Sequence, residues 1–151
     1  MHRGKVLNEI EIKNAIDSDT ILACFTLVKE LRPHLSRENY ITQIERQRKK
    51  GYQILFIEAG TTIVSFMGYR IQEHLAWGKI LYIDDFVTKS DSQNHGYGTK
   101  LIDHIIKIAK ENNCDQVHLD SGYNRNRAHR LYLNKGFVLS SHHFSMKLND
   151  E

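Results

Sequence analysis

The stretch Tyr82-Ile83-Asp84-Asp85-Phe86-Val87, followed after a polar loop by Gln93-Asn94-His95-Gly96-Tyr97-Gly98-Thr99-Lys100-Leu101, decides how the chain is read. Lys79-Ile80-Leu81 leads into it, and the run is apolar, β-branched and aromatic over a strand's length, so it reads as a buried strand interrupted by two carboxylates. Beyond the loop Thr88 to Ser92, two glycines bracket one residue, and Leu101, Ile102, Ile105, Ile106, Ile108 and Ala109 repeat at helical spacing. A strand therefore passes through a Gly-rich turn into a helix. The first turn of a helix leaves backbone N–H groups without intrahelical partners and carries roughly +0.5 of a charge, which suits phosphate. Gly96 and Gly98 lack a Cβ and let an anion approach the backbone between Asn94 and Thr99, whose hydroxyl adds a donor. Taken alone, one GxG is as well explained by a turn with no ligand.

At 151 residues, 40% hydrophobic and 9% aromatic, the chain is predicted to be one globular domain spanning residues 1–151. Its net charge of +3 balances 21 basic against 18 acidic residues, and only Arg46 to Lys50 forms a basic run. A nucleic-acid partner calls for a concentrated stripe, so a solvated helix end is the better account and no nucleic acid is expected. Cys24 and Cys114 stand in apolar contexts without metal-type spacing, which favours reduced thiols. No run reaches membrane length and the start has no signal-peptide core, so a cytoplasmic protein without membrane attachment is expected.

Ile10 and Ile12, with Leu7, suggest a first strand. Asp17, Ser18 and Asp19 precede Ile21, Leu22, Phe25, Val28 and Leu31 at helical spacing, and Pro33 marks where that helix stops. A more polar helix begins at Ser36 and ends near Gly51. From Tyr52 the period changes: Ile54 and Phe56, a turn at Gly60, then Ile63 onward past Gly68-Tyr69-Arg70 predict a hairpin that meanders into the strand of Asp84. After the helix, Gln116 to Ser121 gives a strand, which makes a strand–helix–strand crossover. Ala128, Leu131 and Tyr132 lie on a short helix ended by Gly136, and Phe137–Leu139 and Phe144–Leu148 offer two closing strands.

Two ligand classes use a strand, Gly-rich turn and helix. Asp120, at the end of the next strand, stands where a dinucleotide fold places its ribose-binding acid. Against a hydride-transfer enzyme, Leu101 replaces the third glycine and too few residues follow for a doubly wound sheet. The stronger match joins separate segments. Gln93-x-x-Gly96-x-Gly98 resembles the pyrophosphate loop of the GNAT superfamily of acetyl-coenzyme A-dependent N-acetyltransferases. Asn126-Arg127-Ala128-His129-Arg130-Leu131-Tyr132-Leu133-Asn134-Lys135-Gly136-Phe137 resembles its second signature, an asparagine followed by an alanine, an apolar-Tyr pair and a Gly-Phe. The resemblance covers the chain from about Ile63 to the end, and it departs in the loop Thr88 to Ser92, which lacks a common proline and is a residue longer than usual. It implies an α/β (α+β) fold: a mixed, mostly antiparallel sheet of six to seven strands, about four helices, and central parallel strands splayed around acetyl-coenzyme A.

The strand Gly78 to Phe86 is similar to that of spermidine/spermine N-acetyltransferases, whose Tyr-apolar-Glu-Asp-Phe carries the general base; by position Asp84 takes the base's place and Asp85 follows. An alkylamine is protonated near neutral pH and attacks a thioester only after losing a proton, so a carboxylate that attracts the cation and takes the proton fits this chemistry. Asp84 acting directly, Asp84 through water, and Asp85 all remain open, as does a purely structural aspartate bound to an arginine. Coenzyme A leaves as a thiolate whose thiol has a pKa of roughly 8.5 if it is like cysteine, and a phenol can give it a proton. The resemblance places Tyr132 in that role. It also implies that Phe86, Val87 and Thr88 present main-chain groups to the pantetheine arm and an oxyanion hole, with Asn126 on its other side and Gln93, Asn94, His95, Gly96, Tyr97, Gly98 and Thr99 at the pyrophosphate.

Adjacent His142 and His143 on a strand point to opposite faces, so no metal is expected. Asp85 and Asp120 are the candidate acceptor contacts. The sequence is thus read as an enzyme moving an acetyl group from acetyl-coenzyme A to a primary amine of a small molecule or peptide, with homodimers common in the superfamily it resembles. The rival reading is a non-catalytic acyl-coenzyme A sensor, which would bind the cofactor tightly and transfer nothing.

Overall fold

The computed structural model describes residues 10–149. The chain divides into two compact units, one through His118 and one from Leu119. The strands β1 (Ile12–Asn14), β2 (Gln53–Ala59), β3 (Thr62–His74), β4 (Gly78–Thr88) and β5 (Gln116–Leu119) follow the sheet order β1-β2-β3-β4-β5, all of their residues but Leu119 belonging to the first unit. The first three pairings are antiparallel. A crossover through helix α4 (Tyr97–Glu111) then brings β5 beside β4 and makes the sheet mixed. The fold is the expected α/β GNAT arrangement, with five strands among the described residues rather than six or seven. Leu7, offered for the first strand, lies outside them.

Helices α1 (Ser18–Ala23), α2 (Phe25–Leu31) and α3 (Arg37–Lys49) precede β2. Asp17 caps α1 by accepting the Thr20 N–H at 2.8 Å, and Ser36 caps α3 by accepting that of Asn39 at 3.2 Å. The single helix predicted over Ile21–Leu31 is two, because the Cys24 N–H is shared between the carbonyls of Thr20 (3.3 Å) and Ile21 (3.2 Å) and the last turn of α1 tightens there. Proline disfavours helical geometry in the residue before it, and Arg32, preceding Pro33, leaves the helix with φ −124° and ψ 70°. That exit decides where its guanidinium goes.

Tyr40, Ile44, Tyr52, Ile54, Phe56 and Phe66 belong to the core between α1–α3 and the sheet. Helix α4 lies against β2, β3 and β4 and buries Leu101, Ile102, Ile105 and Ala109, the stripe read from the sequence. Cys24 is buried, its thiol pushed up to about 12 by burial and then by Glu58, and both cysteines are free.

The second unit holds α5 (Asn126–Asn134), which buries Tyr132. The two closing strands are not formed: residues 137–148 carry no strand, and Val138, Leu139, Phe144, Met146 and Leu148 are exposed. Strand-like composition is not enough where no ladder partner is met.

Candidate active site

Between Gly68/Tyr69 of β3 and β4 the register shifts: Gly68 faces Asp85 and Tyr69 faces Ile83, so Asp84 is the extra residue of a β-bulge. Strict alternation would send neighbouring aspartates to opposite faces. The bulge instead lets both join one connected cluster. Arg70, from β3, clamps Asp84 with both prongs, Nε to Oδ1 at 3.0 Å and Nη2 to Oδ2 at 2.6 Å. The Arg70 guanidinium also lies over the Tyr52 ring at 5.6 Å. Tyr52 donates its hydroxyl to Asp85 at 2.6 Å, and Arg32 donates Nε–H to the other Asp85 oxygen at 3.0 Å. A second Arg32 N–H meets the Asp84 carbonyl at 3.1 Å, which satisfies a main-chain acceptor at the bulge.

Burial raises the Asp84 carboxyl above its ordinary value, and the Arg70 hydrogen bonds and charge pull the other way without cancelling it. Burial, followed by the charge of Asp85, pushes the Tyr52 phenol well up and keeps it a donor. Tyr52→Phe should therefore leave one Asp85 oxygen without its short donor and cost about 1–3 kcal/mol, read as a lower urea midpoint. A midpoint equal to wild type would mean water replaces the hydroxyl without loss.

Gly68 explains why the ring fits. A Cβ built there overlaps the Tyr52 hydroxyl and ring, so the glycine is the space the phenol occupies. Arg32, Tyr52, Gly68 and Arg70 were not read as site residues from the sequence; the one signal that could have found them is Gly68, since a glycine inside a strand suggests a bulge or a close approach.

Past the aspartates, Phe86, Val87 and Thr88 pair with Met67, Phe66 and Ser65 of β3. The Asp115 N–H meets the Lys79 carbonyl at 2.7 Å, which sets β5 beside the head of β4. Four residues of strand reach only about 13 Å, so β4 runs on beyond β5 toward Thr88.

A 3₁₀ turn, Ser90–Ser92, then leads to the bend. Asn94 (φ 70°) and Gly96 (φ 77°) both take left-handed backbone, and Gly96 caps a helix of 15 residues. Residues Gln93 to Gly96 are exposed, Tyr97, Gly98 and Thr99 partly so, and the first turn of α4 carries no acidic residue. A helix start with open space beside Gly96 and no competing carboxylate fits a diphosphate. Among the described residues no group of three or more His, Cys, Asp or Glu side chains is placed to hold a metal ion. No helix among them is long and apolar enough to cross a membrane.

The remaining sequence-predicted residues belong to the second unit. Asn126 is the first residue of α5 and is exposed; Asp120 is exposed and 3.2 Å from His143 Nδ1. Tyr132 lies tilted against Phe137, ring centroids 5.9 Å apart, and burial raises its phenol despite the opposing charge of Arg125.

A mixed sheet whose crossover helix opens in an exposed Gly-flanked bend is the fold of acetyltransferases. Residues 19–137 match the Acetyltransferase (GNAT) family, and the chain belongs to it. It is 29% identical over 137 residues, 89% of this chain and 96% of the relative, to the uncharacterized N-acetyltransferase YhdJ of Bacillus subtilis (strain 168). A transcriptional regulator from Bacillus halodurans C-125 shares the fold with a TM-score of 0.82 at 21% identity, over 92% of this chain and 99% of that one. So does the aminoglycoside N-acetyltransferase AAC(6')-Iy in complex with CoA, with a TM-score of 0.78 at 11% identity, over 94% of this chain and 97% of that one.

Proposed function

We propose that the protein transfers an acetyl group from acetyl-coenzyme A directly to a primary amine. The observation that carries this reading is the exposed Gln93–Gly98 bend at the start of α4, reached from the same strand that presents Asp84 and Asp85. The family match crosses both compact units, which supports one catalytic domain.

The backbone N–H groups of the bend, with Thr99, hold the diphosphate, and Asn126 and the main chain of Phe86–Thr88 hold the pantetheine arm. Asp84 takes the proton from the acceptor ammonium. The Arg70 fork uses one lone pair on each of its oxygens and leaves one on each, so a water relays the proton. The amine nitrogen then bonds to the thioester carbonyl carbon, a β4 N–H stabilises the oxygen, and the carbon–sulfur bond breaks. Tyr132, whose phenol burial raises further above neutral pH, gives its proton to the departing thiolate, and the second proton shed by the new amide nitrogen restores the phenol.

The test is thiol release from acetyl-coenzyme A across a panel of amines and peptides. Tyr132→Phe should lower kcat by about 10²-fold with KM for the cofactor nearly unchanged. Unchanged kcat would remove Tyr132 from the reaction. Tight cofactor binding without thiol release on any acceptor would make the protein a sensor.

A further inference from the structure

The Asp85 cluster forms one wall of a cavity of about 290 Å³ between α2, α3 and the sheet. That volume is at the bottom of the range for small-molecule sites, about 300–1,000 Å³, and suits a small molecule. The charged or titratable groups on its lining, the two phenols apart, are Arg32, His34 and Asp85. Asp85 is the lone carboxylate among them, and it is already matched by Arg32 at 3.0 Å and by the Tyr52 hydroxyl at 2.6 Å. The other aspartate is held by both prongs of Arg70. A polyamine therefore meets no unmatched negative charge here, contrary to what two adjacent aspartates suggest in the sequence.

Arg32 is matched in charge by the same ion pair, but unlike the carboxylate it has donors to spare. Its side chain is 40% exposed and spends Nε and one Nη group on Asp85 and the Asp84 carbonyl. The rest of the fork is unused, and a planar guanidinium matches a carboxylate. Val28, Leu35, Ile44 and Phe66 supply apolar walls. We infer that the acceptor is a small amine carrying its own carboxylate, a hydrophobic α-amino acid or close analogue, with that carboxylate on Arg32 and its side chain against Leu35, Ile44 and Phe66. This rests on the acetyltransferase reading for the reaction, though not for the binding.

Titration calorimetry on the full chain would compare leucine with isopentylamine and phenylalanine with phenethylamine, pairs that differ only in the carboxylate, with spermidine as the polycation. The amino acid of at least one pair should bind about tenfold or more tightly than its amine, with spermidine weaker still. Arg32→Gln should erase the ratio, and Asp85→Asn, which leaves the guanidinium in place, should keep it. The wild-type ratio decides the matter even if a variant misfolds. Equal or tighter binding of the bare amines or of spermidine, or no binding of either amino acid, overturns the inference. Thiol release is scored separately: a carboxylate preference in binding with no release upholds the ligand class and defeats the transferase reading. Turnover of bare amines without any binding preference does the reverse.

Discussion

Asp84→Asn should lower kcat/KM by about 10²- to 10⁴-fold, the usual contribution of a positioned base. The amide keeps the shape and one acceptor for Arg70 but cannot take a proton. The sign of the pH dependence follows from the raised carboxyl. A base works deprotonated, so activity is full above the raised pKa and is lost as pH falls through it, at a value above the ordinary 3.8. The variant should lack this limb. Stability runs the other way: a folded pKa above the unfolded one means the native chain binds the proton more tightly. This group's contribution is therefore present below about 3.8 and is lost as pH rises through the raised value. At neutral pH the asparagine gives up an ion pair and also a buried charge, so the melting temperature should move by only a few degrees. A folded variant within a few-fold of wild-type activity would reduce Asp84 to a structural partner of Arg70. A loss that appears instead in Asp85→Asn would move the base by one residue.

Gly68→Ala is the substitution expected to damage the fold most. The added methyl overlaps a phenol that is buried and donates to Asp85 at 2.6 Å with a guanidinium stacked on its ring. Moving that ring costs about 1–3 kcal/mol of overpacking and about 1–3 kcal/mol more for the broken hydrogen bond, out of a total stability of about 5–15 kcal/mol. Urea unfolding should show the loss, and Tyr52→Leu in the same chain should recover part of it, since the two residues contend for one space. A single variant within about 0.5 kcal/mol of wild type would mean the ring does not lie over Gly68.

Much of the fold was legible because its signals are local. The stripe of α4, the Asp17 and Ser36 caps and the turn at Gly60 each depend on residues a few positions apart. The bend at Gly96 was legible for the same reason. The aspartate cluster was not, because its geometry depends on which β3 residue faces which β4 residue, and a strand sequence carries alternation but no count of insertions. Without the bulge, Asp84 and Asp85 diverge; with it, Arg70 and Arg32 reach them from opposite ends of the cluster. Arg32 was hidden by distance along the chain, 53 residues from Asp85, although Pro33 beside it marked a break in the helix. The strands expected after Phe137 failed for a related reason, since composition cannot supply a neighbour.

The extra residue at Asp84 also changes the parity of the strand. Upstream of it the partners of Arg70 and Gln72 on β4 are even-numbered, Tyr82 and Ile80; downstream those of Gly68 and Phe66 are odd-numbered, Asp85 and Val87. Removing one residue here would restore a regular ladder and disband the acid pair in the same stroke. Length in this segment is thus constrained as tightly as chemistry, and a homologue with a one-residue gap at this point would keep a single carboxylate on a regular strand, without the second acid beside it.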